Sequence, residues 1–160
     1  METYTLTAIA GVAATIVMSA VMYLFHWGSF AEADMIRALG SLVTKKEEDS
    51  LIVGAAIHLV SGVFFAFVYI GTWSMFPLEG VQVLSLFGVV GGAFHGLVVS
   101  FLLVSTVSQH HPVERFRNAG IGVGVAHFVG HIAYGATVGA IAGTYHIKFD
   151  FVPDLVALPS

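Results

Sequence analysis

Four long stretches of this chain contain no Asp, Glu, Lys or Arg. They cover residues 5–26, 51–76, 81–108 and 118–147. Each exceeds the ~20 residues that an α-helix needs to cross the hydrocarbon core of a bilayer. Isolated apolar strands would leave backbone groups unpaired in lipid, so helices are the form to expect. The sequence therefore predicts an all-α fold, a bundle of four transmembrane helices.

The composition excludes an ordinary water-soluble domain. Hydrophobic residues make up 57% of the 160 residues and charged residues 10%, against roughly 25% charged residues in soluble proteins. The length fits one integral membrane domain over residues 1–160. The few charges are scattered and form no basic patch for nucleic acid. With no cysteine in the chain, any metal site must use other ligands. The expected partner is the lipid bilayer.

The segment between the first two stretches predicts a short helix on the membrane interface. Its apolar residues recur at helical spacing, at Met35, Ile36, Leu39, Leu42 and Val43. The basic residues predict the orientation. Five of the six lie in the first and third connections and only Lys148 lies on the other side. By the positive-inside tendency, both termini are expected on the non-cytoplasmic side of a cytoplasmic membrane.

Small residues form stripes along three of the predicted helices. Gly135, Gly139 and Gly143 repeat every four residues and therefore share one helix face. Such GxxxG faces let helix backbones approach closely in lipid. The other stripes are Gly54, Gly62 and Ala66, and Gly88, Gly92, Gly96 and Ser100. Two interpretations stay open: the stripes hold the four helices together, or they also contact a second copy or another membrane subunit.

Histidines are the candidate functional residues of this chain. His58, His95, His127 and His131 lie inside the predicted spans, at depths of roughly 12–20 Å by helix rise. An ionisable side chain within a membrane span is a functional-site hypothesis by default. A second group at the membrane edge includes His26, Asp34, Glu114 and the pair His110 and His111. There, a metal site, a pH-sensitive collar and an ordinary solvated surface are the alternatives.

Three histidines are the candidates for cofactor binding. Two imidazoles from facing helices can ligate haem b, so His58, His127 and His131 are candidate ligands. Together with His95 they are also candidates for copper, zinc or iron. Interhelical hydrogen bonds and a polar path are the alternatives. No catalytic residue is assigned, because the spans contain no carboxylate and no nucleophile–base arrangement is recognisable.

Four stretches also resemble a poorly characterised family of small four-span bacterial and archaeal membrane proteins. They are the glycine-rich first span from Gly11 to Met22, the segments Asp34–Ser41 and Gly130–Gly135, and His58–Ala66 followed by Tyr69. The resemblance implies the four-span topology, in a prokaryotic membrane, and no particular activity.

Two functional hypotheses follow. The first is a non-enzymatic subunit of a larger membrane assembly, whose histidines bind haem or a transition metal. The alternative is an autonomous conduit for protons or a small solute, lined by the same histidines.

Overall fold

The computed structural model describes residues 2–28, 30–31, 33–117 and 119–150. Within these residues the chain is helical. The five α-helices are α1 (Glu2–Trp27), α2 (Met35–Thr44), α3 (Ser50–Ser74), α4 (Val81–Leu102) and α5 (Ile121–Thr144). Four of them, all except α2, are long and apolar enough to cross a membrane. The predicted all-α fold, with four membrane-capable helices and a short apolar helix between the first two, is confirmed.

The fourth helix changes its geometry near its end. After Leu102 the chain continues as a π-helix over Leu103–Val107 and a 3₁₀-helix over Ser108–His110. The apolar rod therefore extends over Val81–His110, close to the predicted limit at residue 108. Leu103 and Val107 belong to the wall of the cavity described below.

The predicted limits of the last helix are three residues too wide at each end. At its start, Gly120 has an extended backbone and acts as the N-cap. At its end, Tyr145 is the C-cap, and His146 has a left-handed φ of 51°. Local backbone conformation ends the helix within the charge-free run, which the absence of charge alone does not predict.

Helix α5 is central to the arrangement. It packs along α4 on one side and along α1 on the other, and α1 also packs against α3. The short helix α2 lies on α3. In contrast, α3 and α4 make few contacts with each other. The four long helices thus form a row, α4–α5–α1–α3, whose two ends approach without packing closely.

Glycines set the close approach of α4 and α5. A Cβ atom at Gly135 would collide with the Gly88 carbonyl oxygen, and one at Gly139 with the Leu84 carbonyl oxygen. At Gly143 it would lie 2.6 Å from the Val81 Cα. Backbone therefore touches backbone along this seam, as expected of small-residue faces in lipid. Packing within the chain accounts for these positions in the stripes.

Glycines also allow close approach between α1 and α3 and between α2 and α3. A Cβ at Gly11 in α1 would lie 2.7 Å from the Val63 Cα in α3. A Cβ at Gly54 in α3 would collide with the Ile36 carbonyl oxygen in α2, and one at Gly40 with the Ser50 carbonyl oxygen. Helix α2 is thus seated directly on the α3 backbone.

Large apolar side chains point outward. Ile52 is 82% exposed, Val60 70% and Phe94 72%, whereas the interior contains mostly small residues, aromatic rings and histidines. Such a surface is unfavourable in water. Lipid tails are a suitable solvent for it, and the helices satisfy their own backbone hydrogen bonds as that environment demands.

Candidate functional site

A cavity of about 520 Å³ opens on one half of the bundle, between α3 and α4. Its volume lies in the range of ~300–1,000 Å³ that is usual for ligand sites. All four histidines of the predicted spans line it: His58, His95, His127 and His131. The structure therefore brings together the histidines that the sequence placed on three different helices.

The cavity extends from the middle of the bundle to the end that carries α2. Its inner end reaches Tyr134, whose hydroxyl donates a hydrogen bond to the Gly62 carbonyl oxygen. Its mouth is lined by Asp34, Arg115 and Arg117, in the connections before α2 and α5. Imidazoles lie toward the inner part, and charged groups lie at the mouth.

Apolar side chains form most of the wall between these ends. Helix α2 covers one side, while the last turns of α4 and the π-helix cover another. The apolar wall residues include Met35, Leu39, Leu42, Phe65, Val99, Leu103 and Val107. A ligand that fits here has an apolar body.

The two histidines of α5 have the same hydrogen-bonding pattern. His127 Nδ1 lies 2.9 Å from the Val123 carbonyl oxygen, and His131 Nδ1 lies 2.8 Å from the His127 carbonyl oxygen. A carbonyl oxygen only accepts, so Nδ1 carries the proton, and Nε2 of the neutral ring keeps a free lone pair. Within the described part of the chain, neither Nε2 has a hydrogen-bond partner. These two nitrogens are free to accept a proton or to bind a metal.

His58 has the opposite tautomer. The Ser19 hydroxyl donates its single proton to the Thr15 carbonyl oxygen, at 2.9 Å. The contact of 3.1 Å between His58 Nε2 and the Ser19 oxygen must therefore use the Nε2–H of His58 as donor. The unprotonated nitrogen of His58 is then Nδ1.

His95 belongs to a cluster of rings at the inner side of the cavity. Its ring centroid lies 4.3 Å from that of Phe65 and 4.6 Å from that of His131. Its Nδ1 lies 3.4 Å from the Tyr69 hydroxyl oxygen. These rings bridge α3 and α4 at the level where the cavity ends.

The histidines line one cavity without converging on one point. Among the residues that the structure describes, no group of three or more His, Asp or Glu side chains is placed to hold a metal ion. A bare transition-metal ion usually takes three or four protein ligands, whereas haem iron takes one or two. The predicted binding roles of His58, His95, His127 and His131 stay predictions.

Asp34 links three elements at the mouth of the cavity. Its carboxylate accepts a hydrogen bond from the Tyr23 hydroxyl at 3.2 Å and caps α2 through the Arg37 backbone N–H at 3.4 Å. It also forms ion pairs with Arg37 at 3.7 Å and Arg115 at 3.8 Å. Arg115 in turn pairs with Glu47. The connection before α5 is thereby tied to both ends of α2.

His111 adds a further tie at the same place. Its Nε2–H donates to the Ala38 carbonyl oxygen at 2.9 Å, and its Nδ1 accepts from the Val113 N–H at 3.1 Å. Of the membrane-edge group that the sequence indicated, Asp34 and His111 line the mouth. His110 is exposed, and its Nδ1 donates to the Thr106 carbonyl oxygen.

Arg117, one of the five basic residues that predict the orientation, also lines the mouth. Its Nε–H donates to the His111 carbonyl oxygen at 2.7 Å and its Nη2 to the Pro112 carbonyl oxygen at 3.3 Å. No carboxylate lies within ion-pair distance of it in the described residues. The signal that could have identified it is its position just before a helix that carries two histidines.

A smaller cavity of about 180 Å³ lies at the other end of the bundle. Its wall includes Trp73, Leu84 and Gly143, and none of the described residues lines both cavities. A buried layer separates the two cavities along α3 and α5, formed by Tyr69, Ile70, Tyr134 and Val138.

A family model matches residues 1–150, which include all five helices and the histidine-lined cavity. The chain belongs to the family of unknown function DUF6789. Neither a curated protein nor a solved structure matches it. The match spans the four stretches that carry the sequence resemblance and gives no activity, so the cavity is the basis for assigning a function.

Proposed function

We propose that the protein is a non-enzymatic subunit of a membrane assembly that binds haem b in the histidine-lined cavity. His127 would hold the haem iron through its unprotonated Nε2, and His58 on the α3 wall, whose unprotonated nitrogen is Nδ1, would be the candidate for a second ligand. His131 is the less suitable member of the α5 pair, because its ring packs edge-on against His95.

The observation that carries the proposal is the state of the His127 ring. Its Nδ1–H is fixed on a backbone carbonyl oxygen, and its unprotonated Nε2 belongs to a side chain on the cavity wall. Metal-ligating histidines usually have this second hydrogen bond, which fixes the ring and its tautomer. An apolar cavity of about 520 Å³ beside it suits a large flat ligand better than a bare ion.

The conduit hypothesis has less support from the geometry. A path for a solute would have to pass the layer of Tyr69, Ile70, Tyr134 and Val138, each at most 9% exposed. The charge-free spans also contain no carboxylate that could continue a proton relay beyond the imidazoles. A blind cavity favours binding over passage.

An absorption spectrum of the detergent-purified protein, with metal analysis, tests the proposal. We expect haem bands in stoichiometric amount in the wild type and their loss in His127→Ala. His58→Ala should shift the bands and retain haem. His110→Ala is the matched control, since His110 is exposed outside the cavity, and should leave the spectrum unchanged.

The proposal fails if the wild type shows no haem bands even after haem is added to the folded protein. Stoichiometric copper, zinc or iron without haem would overturn it in favour of a bare-metal site. Thermal unfolding of each variant, compared with the wild type, distinguishes a lost ligand from a lost fold.

A further inference from the structure

The chemistry of the large cavity changes along its length. Imidazoles and the Tyr134 hydroxyl lie at the inner part, apolar side chains form the middle, and guanidinium groups lie at the mouth. A ligand that matches this order has an apolar body and a polar group at the membrane edge. The sign of that group depends on which charges at the mouth are already paired.

The two arginines of the mouth differ in this respect. Arg115 is paired with Asp34 and with Glu47. Among the described residues, Arg117 donates side-chain hydrogen bonds only to the carbonyl oxygens of His111 and Pro112 and forms no ion pair. A guanidinium group has five N–H donors, so two bonds to carbonyl oxygens leave donors and the full positive charge for a further acceptor.

We infer that the cavity ligand carries an acidic group and that Arg117 binds this group at the mouth. The inference rests on the proposed function in so far as the cavity is a binding site. A guanidinium group suits a carboxylate because it can form two parallel, charge-assisted hydrogen bonds with it. The backbone carbonyl groups that hold Arg117 limit its motion, which lowers the entropic cost of binding.

Two ligand classes share this chemistry. The propionates of haem are carboxylates on an apolar ring, and a fatty acid is a carboxylate on an apolar chain. The inference concerns the shared feature, an acidic group at the interface end of an apolar body. It differs from the haem proposal, which concerns the iron ligand at the imidazoles.

The experiment compares each acid with its uncharged ester. One arm measures binding of haem and of haem dimethyl ester to the purified protein. The second arm uses a long-chain fatty acid and its methyl ester. We expect the wild type to prefer the acid by about tenfold, the value of one charge-assisted hydrogen bond at a partly exposed site. This preference should decrease at high salt, because the mouth is exposed to water.

Arg117→Gln should remove the preference, while Arg117→Lys should retain part of it, since lysine keeps the charge and loses the paired hydrogen bonds. The matched control is Lys46→Gln, which removes an exposed charge that does not line the cavity. It should retain the wild-type preference. Unchanged thermal unfolding of the variants would show that the loop is intact.

The outcomes separate the two proposals. Equal binding of acid and ester by the wild type, or a preference that survives in Arg117→Gln, overturns the inference even if haem binds through His127. An Arg117-dependent preference for the fatty acid, without haem binding, supports the inference and overturns the haem proposal. Absence of binding in both arms overturns both.

Discussion

The two ends of the helix bundle are built differently although the same helices pass through both. Toward the connection between α3 and α4, Gly135, Gly139 and Gly143 lie against the α4 backbone, and the cavity at that end is small, about 180 Å³. Toward the connections that flank α2, the large cavity separates α3 from α4. The α4–α5 pair stays together throughout, so the position of α3 creates the open volume.

This difference shows how the chain combines a tight seam with a cavity. Because of the glycines, α4 and α5 touch through their backbone atoms. The larger side chains of α5 therefore lie on the other faces of that helix. His131 belongs both to the α4–α5 seam and to the wall of the large cavity. A Cβ at Gly92 would collide with the His131 carbonyl oxygen, and one at Gly96 would lie 2.8 Å from the His131 Cβ. The seam therefore positions a residue of the cavity.

The largest expected effect concerns the sides of the membrane on which the two ends lie. The chain has no cysteine, so a single cysteine at Lys46 or at Glu79 is a unique label site. We expect all-or-none labelling from opposite sides, with Lys46→Cys accessible from the cytoplasm by the positive-inside tendency. Labelling of both variants from one side would contradict the four-span topology.

The second prediction tests the α4–α5 seam with two neighbouring glycines. Gly92→Ala should destabilise the protein by about 2–3 kcal/mol, the upper part of the overpacking range, because the new methyl group meets the α5 backbone. Gly91→Ala should change stability by less than about 1 kcal/mol, because its closest contact, 3.7 Å from the Tyr69 ring, is ordinary. Thermal unfolding in detergent measures both. Equal effects would show that the seam is not tight.

The third prediction tests the end of the bundle that contains the large cavity. Ser61 lines the large cavity, whereas its neighbour Val60 is 70% exposed on the outer surface. Ser61→Phe should change stability by less than about 1 kcal/mol, because the cavity accommodates the ring without overpacking, and it should abolish ligand binding. Val60→Phe should leave both unchanged. If Ser61→Phe destabilises the protein as much as Gly92→Ala, the space beside Ser61 is packed as closely as the α4–α5 seam.

The sequence predicted the helices well because the free-energy cost of placing a charged group in the bilayer core determines where they lie. The charge-free runs therefore mark the membrane-capable helices to within a few residues. The short helix α2 was also predictable, since its apolar residues repeat at helical spacing. The limits of α5 were not, because they depend on the backbone conformations of Gly120 and His146.

The site could be predicted only in part. The depth of His58, His127 and His131 followed from their distance to the ends of the helices, and the structure places all three around one cavity. Their tautomers did not follow, because these depend on contacts such as that of Ser19 with Thr15. The sequence also predicted only some of the residues that line the mouth and none of the ion pairs between them. Arg115 is 81 residues from Asp34 in the chain (115 − 34), and sequence spacing contains no information on such a pair.

The π-helix at Leu103–Val107 restricts where residues can be inserted into this protein or deleted from it. Successive residues of an α-helix are turned by about 100° about its axis, and a π-helical ring closes over one residue more than an α-helical one. Deleting one residue from this segment would turn the following chain by about that angle. His111, four residues beyond it, would then lose its hydrogen bond to Ala38. Family members should therefore keep the residue count between His95 and His111 constant and vary in length at exposed positions such as Glu48 and Asp49.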